Sequence, residues 1–293
     1  MPVRSRAVRD GLVLAGLLFA VYLFAVVAPQ ARTVGFDAFS YWSLDLEHPY
    51  ARHAGEFGAF PYTPVAARLF APASLLAWPS FWFLWTALLL GTVVWLGRMT
   101  VGRDGRGAWR GVLAILALPP VALDLYHGNI HILLAAAIGL GLRYPWTWAF
   151  VLLTKATPGV GLIWFAVRRE WRHLMIALGA TAAIAIVSLV VDARLWREWI
   201  VDGLLPVVGV SVSQPHIEIP LAIRLPAAGL LVAWGAWTDR RWIVPVASTL
   251  ALPVLWLAGL SILAAIPAIE RLRGPDAAPT TWAAPGPTLK STR

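Results

Sequence analysis

The run Gly11–Ala28, GLVLAGLLFAVYLFAVVA, carries no charge over its whole length, and its reading sets the fold class. A helix of about 20 apolar residues crosses the hydrocarbon of a bilayer. Arg4, Arg6 and Arg9 precede this run. It is longer than the apolar stretch of a signal peptide and lacks a small-x-small cleavage site before the polar loop, so it reads as an uncleaved first span. The arginines place the N-terminus in the cytoplasm and the loop beyond the run outside. Working outward, hydrophobic residues make up 59% of the 293 and mean hydropathy is +0.70, above the roughly 45–50% apolar content of a soluble domain. The expected fold is all-α, a polytopic integral membrane helix bundle.

Basic clusters mark the cytoplasmic returns of the later segments. Segment 64–78 holds Arg68 and Pro72 and is closed by Pro79. Those residues weaken it as a lipid-exposed helix, so it reads as a surface or re-entrant element. Phe81–Leu96 then returns to the arginines of 98–110. Gly111–Leu125, Ile130–Leu142, Trp146–Thr154, Pro158–Val167, Leu174–Val191, Ile219–Trp237, Ile243–Leu252 and Leu255–Ile269 follow, making about ten spans in all. Several are too short to cross without burial in the bundle. Asp192–Ile217 forms a second external loop. Trp78, Trp109, Trp146, Trp171 and Trp242 stand at segment ends, as an interfacial belt requires. Residues 1–273 read as one membrane domain, with 30–80 an external loop carrying juxtamembrane helices. The tail 274–293, rich in Pro, Ala, Thr and Gly, reads as disordered and cytoplasmic.

The formal charge of +9 follows from this topology, because the basic residues lie between apolar runs and form no stripe for nucleic acid. The chain has no cysteine, which removes thiolate nucleophiles, disulfides and the common zinc sites. No phosphate-binding glycine loop occurs.

Chemistry concentrates in the loop Gln30–Pro64, which gathers Asp37, Asp45, Glu47, His48, His53 and Glu56 in a chain only 13% charged. Asp37 sits just past the first span among Phe36, Phe39, Tyr41 and Trp42. It reads as a general base whose apolar surroundings raise its basicity, or as the N-cap of a short helix. Tyr41 and Asp45 stand beside it as candidate substrate contacts, although a charge group such as Asp45, Glu47 and His48 is also an ordinary solvated loop. Lys155, between two apolar half-segments, has no acid near it in sequence. A charge at membrane depth faces a partner or a pathway, here an anionic ligand, or snorkels to the headgroups. His127, Asn129 and His131 bracket Gly128 between two spans; they read as the polar wall of a sugar or phosphate pocket or as a plain turn, and no third ligand accompanies the histidines for a metal. Arg68 and Arg224 read as phosphate forks or as headgroup anchors.

The order of these features resembles glycosyltransferase family 87, the polyprenol-phosphate-mannose-dependent mannosyltransferases of the GT-C superfamily. Gly35-Phe36-Asp37 matches an external Gly-x-Asp, and Pro61-Tyr62-Thr63-Pro64 through Ala71-Pro72 matches a Tyr-Pro-Pro-like segment. Gly128-Asn129-Ile130-His131 matches a Gly-Gln-x-Asn turn. Thr154-Lys155-Ala156-Thr157-Pro158, with Arg168-Arg169-Glu170-Trp171, matches an Ile-Lys-Pro-x-Pro-like break and its basic end. The resemblance implies a GT-C-like bundle in the bacterial plasma membrane with its active site on the outer face. It further implies inverting transfer of a sugar, mannose first, from a polyprenyl-phosphate donor to a glycolipid or glycan acceptor, with no cofactor or metal. Asp37 is then the base, and Lys155, Arg68 or Arg224 meets the departing phosphate. The rival readings are a transporter or flippase with a midplane site, a GT-C enzyme for another sugar such as arabinofuranose, and an inactive subunit.

Overall fold

The computed structural model describes residues 3–52, 56–100, 107–204 and 217–272, and every regular element among them is helical. His53, Arg103, Arg106, His216 and the tail 274–293 lie outside the described residues. Helix α1 (Val3–Tyr22) runs through a π-helical turn to Ala31, so that Arg6–Ala31 is one continuous apolar helix. Short helices α2 (Phe36–Trp42) and α3 (Pro64–Phe70) follow, the latter extended by a 3-10 turn, Ala71–Leu75. Segment 64–78 thus consists of pieces far too short to cross a bilayer. Helix α4 (Trp78–Met99) is long, and α5 (Ala108–Leu116) and α6 (Pro119–His127) are bent 71° to one another.

The second half sets shorter helices around one of membrane-spanning length. It comprises α7 (His131–Gly141), α8 (Trp148–Thr154), a 3-10 segment Thr157–Leu162 leading into α9 (Ile163–Val167), and α10 (Trp171–Val191). Then come α11 (Ala193–Glu198), α12 (Leu221–Trp237), α13 (Ile243–Leu250), a 3-10 segment Leu257–Ala265 and α14 (Ile266–Arg271).

By length and composition, Arg6–Ala31, Trp78–Met99 and Trp171–Val191 are apolar enough to cross a membrane, joined by a fourth if the bent α5–α6 pair is one span. The expectation of about ten counted each apolar run as a crossing. In the fold, Trp146–Thr154 and Pro158–Val167 are pieces of one broken path, and α7 is buried along most of its length. A helix sheathed by its neighbours need not match the bilayer, because its apolar faces meet protein. Exposed apolar side chains line the long helices instead, such as Leu12, Leu14 and Leu18 on α1, Phe83 and Leu88 on α4, and Val187 and Val190 on α10.

Two ends of the bundle differ in character. At one, Arg271 Nη1 donates to Arg98 O at 2.7 Å, Arg168 Nη1 reaches Ala236 O and Asp239 Oδ1 at 3.2 Å each, and Trp242 N–H meets Glu270 Oε1 at 3.1 Å. The exposed rings of Trp109, Trp146, Trp171 and Trp242 decorate this basic end. At the other, Trp42 Nε1–H donates to Leu76 O at 2.8 Å, and the Phe39 and Trp78 rings meet edge to face at 5.7 Å. Helix α4 joins the two, and its 22 residues correspond to about 33 Å of rise.

Candidate active site

Two glycine turns bring the loop helix α2 onto the α6–α7 junction. Gly35 (φ 73°) caps α2 and Gly128 (φ 68°) closes α6, both in the left-handed region that favours glycine. Space there is as restrictive as the backbone, since a Cβ on Gly128 would lie 2.7 Å from the Ala38 Cβ and 2.8 Å from the Trp82 ring. Gly35 N–H donates to Tyr126 O, and Trp85 Nε1–H to Gly128 O, each at 2.8 Å. The acid of the loop is thereby set against the turn that carries Asn129 and His131.

Asp37 occupies the first turn of α2, where the helix dipole favours a carboxylate, and is half-buried. Asn129 Nδ2 donates to Asp37 Oδ2 at 2.8 Å. The Asn129 amide is oriented by its partners, because its Oδ1 accepts from Ile130 N–H at 2.8 Å and from Lys155 Nζ at 3.5 Å. A single carboxamide therefore separates the acid and the cation that the sequence picks out. Among the described residues no donor reaches Asp37 Oδ1, which leaves that oxygen able to accept a proton.

Lys155 follows the last turn of α8 in an extended conformation (φ −131°, ψ 98°), with its own N–H held by Val151 O at 2.8 Å. The proline at 158 and the glycines at 159 and 161 prevent the helix from resuming regularly. Thr63 clasps this break to the loop: its hydroxyl donates to Leu153 O while accepting from Ala66 N–H at 3.4 Å, as the N-cap of α3. Lys155 Nζ lies 2.7 Å from His131 Nε2 and 5.8 Å from the centroid of the Tyr62 ring.

Two residues that sequence reasoning left out complete the cluster. Asp124 is wholly buried, with Oδ1 2.9 Å from His131 Nδ1 and Oδ2 accepting from Ile132 N–H at 3.0 Å. It therefore sits at the N-terminus of α7, where free N–H groups and the dipole stabilise an anion. Tyr62 hydrogen-bonds through its hydroxyl to that of Tyr41 at 3.1 Å. Burial pushes both phenols above their ordinary range, so both stay protonated.

Of the other candidates, Tyr41 reaches the cluster through Tyr62 and His127 stands at its Asp37 edge, while Asp45, Arg68 and Arg224 lie apart from it. Tyr41, expected to touch substrate, is fully buried and stacked on Phe70 at 4.5 Å, because α2 turns that face into the core. Asp45 is exposed and accepts Glu47 N–H at 2.9 Å in a local turn. Arg68 pairs with Asp192 at 3.3 Å. Arg224, expected as a phosphate fork or headgroup anchor, is buried and donates to the carbonyls of Ile219, Leu250, Leu252 and Pro253. Three of those acceptors are carbonyls left open where α13 stops and the fourth, Ile219, precedes α12, so its fork holds protein. His127 is half-buried on the Asp37 side of the turn, its ring 5.1 Å from that of Tyr126. No group of three His, Asp or Glu side chains suited to a metal occurs among the described residues.

Comparison with known proteins places this cluster in context. An alignment of 168 positions, covering 48% of the chain, gives 27% identity to a polyprenol-phosphate-mannose-dependent alpha-(1-2)-phosphatidylinositol mannoside mannosyltransferase of Mycobacterium tuberculosis. The match spans only 39% of that relative's length. No solved structure matches the chain. The family model of glycosyltransferase family 87 matches residues 60–284, which include Asp124, Asn129, His131 and Lys155 but begin after Asp37, and the chain belongs to that family.

Proposed function

We propose that this membrane glycosyltransferase moves a sugar, mannose first, from a polyprenyl-phosphate donor to a glycolipid or glycan hydroxyl at the outer face of the membrane. Asp37 Oδ1 takes the proton of the acceptor hydroxyl as its oxygen attacks the anomeric carbon. The bond from that carbon to the phosphate oxygen breaks on the opposite side, and its electron pair leaves with the polyprenyl phosphate. One displacement inverts the anomeric centre. Lys155 meets the charge that grows on the departing phosphate, where a preoriented cation contributes most. Asp37 needs no metal to act in this way.

The observation that carries the reading is the Asn129 bridge, which holds an acid with one open oxygen and a cation on the two ends of one side chain. The site lies at the α2 end of α4, opposite Arg98 and Arg271, and the preference of basic residues for the cytoplasmic side supports an outer-face reading. The relative's dependence on polyprenol-phosphate-mannose supports a lipid-phosphate donor.

The test is transfer of labelled mannose from polyprenyl-phosphomannose to envelope lipids by membranes containing the wild-type chain or Asp37→Asn. Loss of general-base catalysis lowers the rate by about 10²- to 10⁴-fold at unchanged donor KM. Undiminished transfer by Asp37→Asn rules this base out.

A further inference from the structure

The buried pair behind Lys155 has no task in the reaction just described. Asp124 and His131 are 0% and 1% exposed, and they continue the line from Lys155 into the core: Nζ to His131 Nε2 at 2.7 Å, then Nδ1 to Asp124 Oδ1 at 2.9 Å. With Lys155 as an ammonium, which only donates, Nε2 carries the lone pair and Nδ1 the proton, which goes to the Asp124 carboxylate. Ile132 N–H holds Asp124 Oδ2, which turns Oδ1 toward the imidazole. Of the three ammonium hydrogens, His131 Nε2 and Asn129 Oδ1 take two, and one remains for a ligand oxygen.

We propose that Asp124 and His131 are positioning residues for the donor phosphate, fixing the imidazole tautomer so that the Lys155 ammonium is held with one hydrogen toward the lipid phosphate. The inference rests on the assignment of Lys155 to that phosphate and adds the groups that aim it. A carboxylate behind the imidazole also keeps the buried cation balanced when no phosphate is bound.

Three substitutions separate aiming from folding. In Asp124→Asn the amide nitrogen must oppose either Ile132 N–H or His131 Nδ1–H. Relief of the second conflict moves the imidazole proton to Nε2, where it faces the ammonium. His131→Leu removes the acceptor altogether, whereas the Oε1 of His131→Gln falls near the position of Nε2 and still accepts. Donor KM for polyprenyl-phosphomannose should rise about tenfold or more in Asp124→Asn and His131→Leu, with acceptor KM unchanged. His131→Gln should stay within about threefold of wild type. Inhibition by sugar-free polyprenyl phosphate should weaken in parallel, and inhibition by uncharged polyprenol should not move.

Lys155→Ala is measured alongside. If it raises donor KM while Asp124→Asn and His131→Leu do not, the positioning role is overturned and the phosphate assignment stands. If Lys155→Ala leaves donor KM unchanged, both fall. Equal loss in His131→Gln and His131→Leu also overturns the proposal, because an acceptor at Nε2 would then be insufficient. Thermal midpoints in detergent show which variants fold, and the Gln variant tests the claim even if Asp124→Asn is unstable.

Discussion

Arg224 and Lys155 are both cations in apolar surroundings, and their partners set them apart. The guanidinium of Arg224 is closed off by four carbonyls, so its removal leaves buried acceptors unpaired. Arg224→Met should lower folding stability by about 3 kcal/mol, read as a fall in thermal midpoint, with donor KM of the folded fraction unchanged. Lys155→Ala should do the reverse. Asn129 gives a second residue-level prediction. Asn129→Asp sets a carboxylate against Asp37 Oδ2, and one of two adjoining acids then holds a proton near neutral pH. Transfer should drop at least tenfold and its pH profile should move, whereas an unshifted profile would contradict the bridge. Asp37 and Lys155 were legible from the chain because each is a charge beside apolar runs. The same argument applies to Asp124, between Leu123 and Leu125, although its run reads as a span. Sequence shows that Arg224 lies in an apolar run, and not that four backbone carbonyls close around it.

The elements around the site are held by contacts whose geometry leaves little room. An alanine at 128 would meet the Ala38 Cβ at 2.7 Å and would be strained at the φ of 68° that glycine adopts freely. Gly128→Ala should therefore cost about 2–4 kcal/mol and reduce transfer by displacing α2, measured as thermal midpoint and rate together. Thr63 ties α3 to the break at Lys155 through one hydroxyl. Thr63→Val should lose about 1–2 kcal/mol and Thr63→Ser most of that back; equal behaviour of the two would deny the clasp. Short helices such as α2 and α3 were visible as an aromatic, proline-punctuated loop, and the Pro-marked break after Thr154 was visible too. The meeting of Gly35 with the Gly128 turn was not, because a glycine states freedom of backbone and leaves open which neighbour comes close.

Across the whole molecule, helix class was plain from hydropathy, while the number of crossings was not. Apolar runs in α7 and α13 face protein, and those in α1 and α10 face outward, yet all read alike in composition. The basic end with its exposed tryptophans and the aromatic end with the cluster lie at opposite ends of α4. As the chain lacks cysteine, Phe57→Cys and Trp146→Cys, at exposed positions, should react with an impermeant maleimide from outside and only after permeabilisation, respectively. Labelling of both from one side would reverse the orientation. The central claim is that a lipid phosphate and an acceptor hydroxyl meet between Lys155 and Asp37. A cryo-EM density map of the chain with a non-transferable polyprenyl-phosphomannose analogue tests it most directly. The account predicts the phosphate within hydrogen-bonding reach of Lys155 Nζ, with the anomeric carbon turned toward Asp37 Oδ1; a phosphate seated elsewhere, at Arg68 for example, would contradict it.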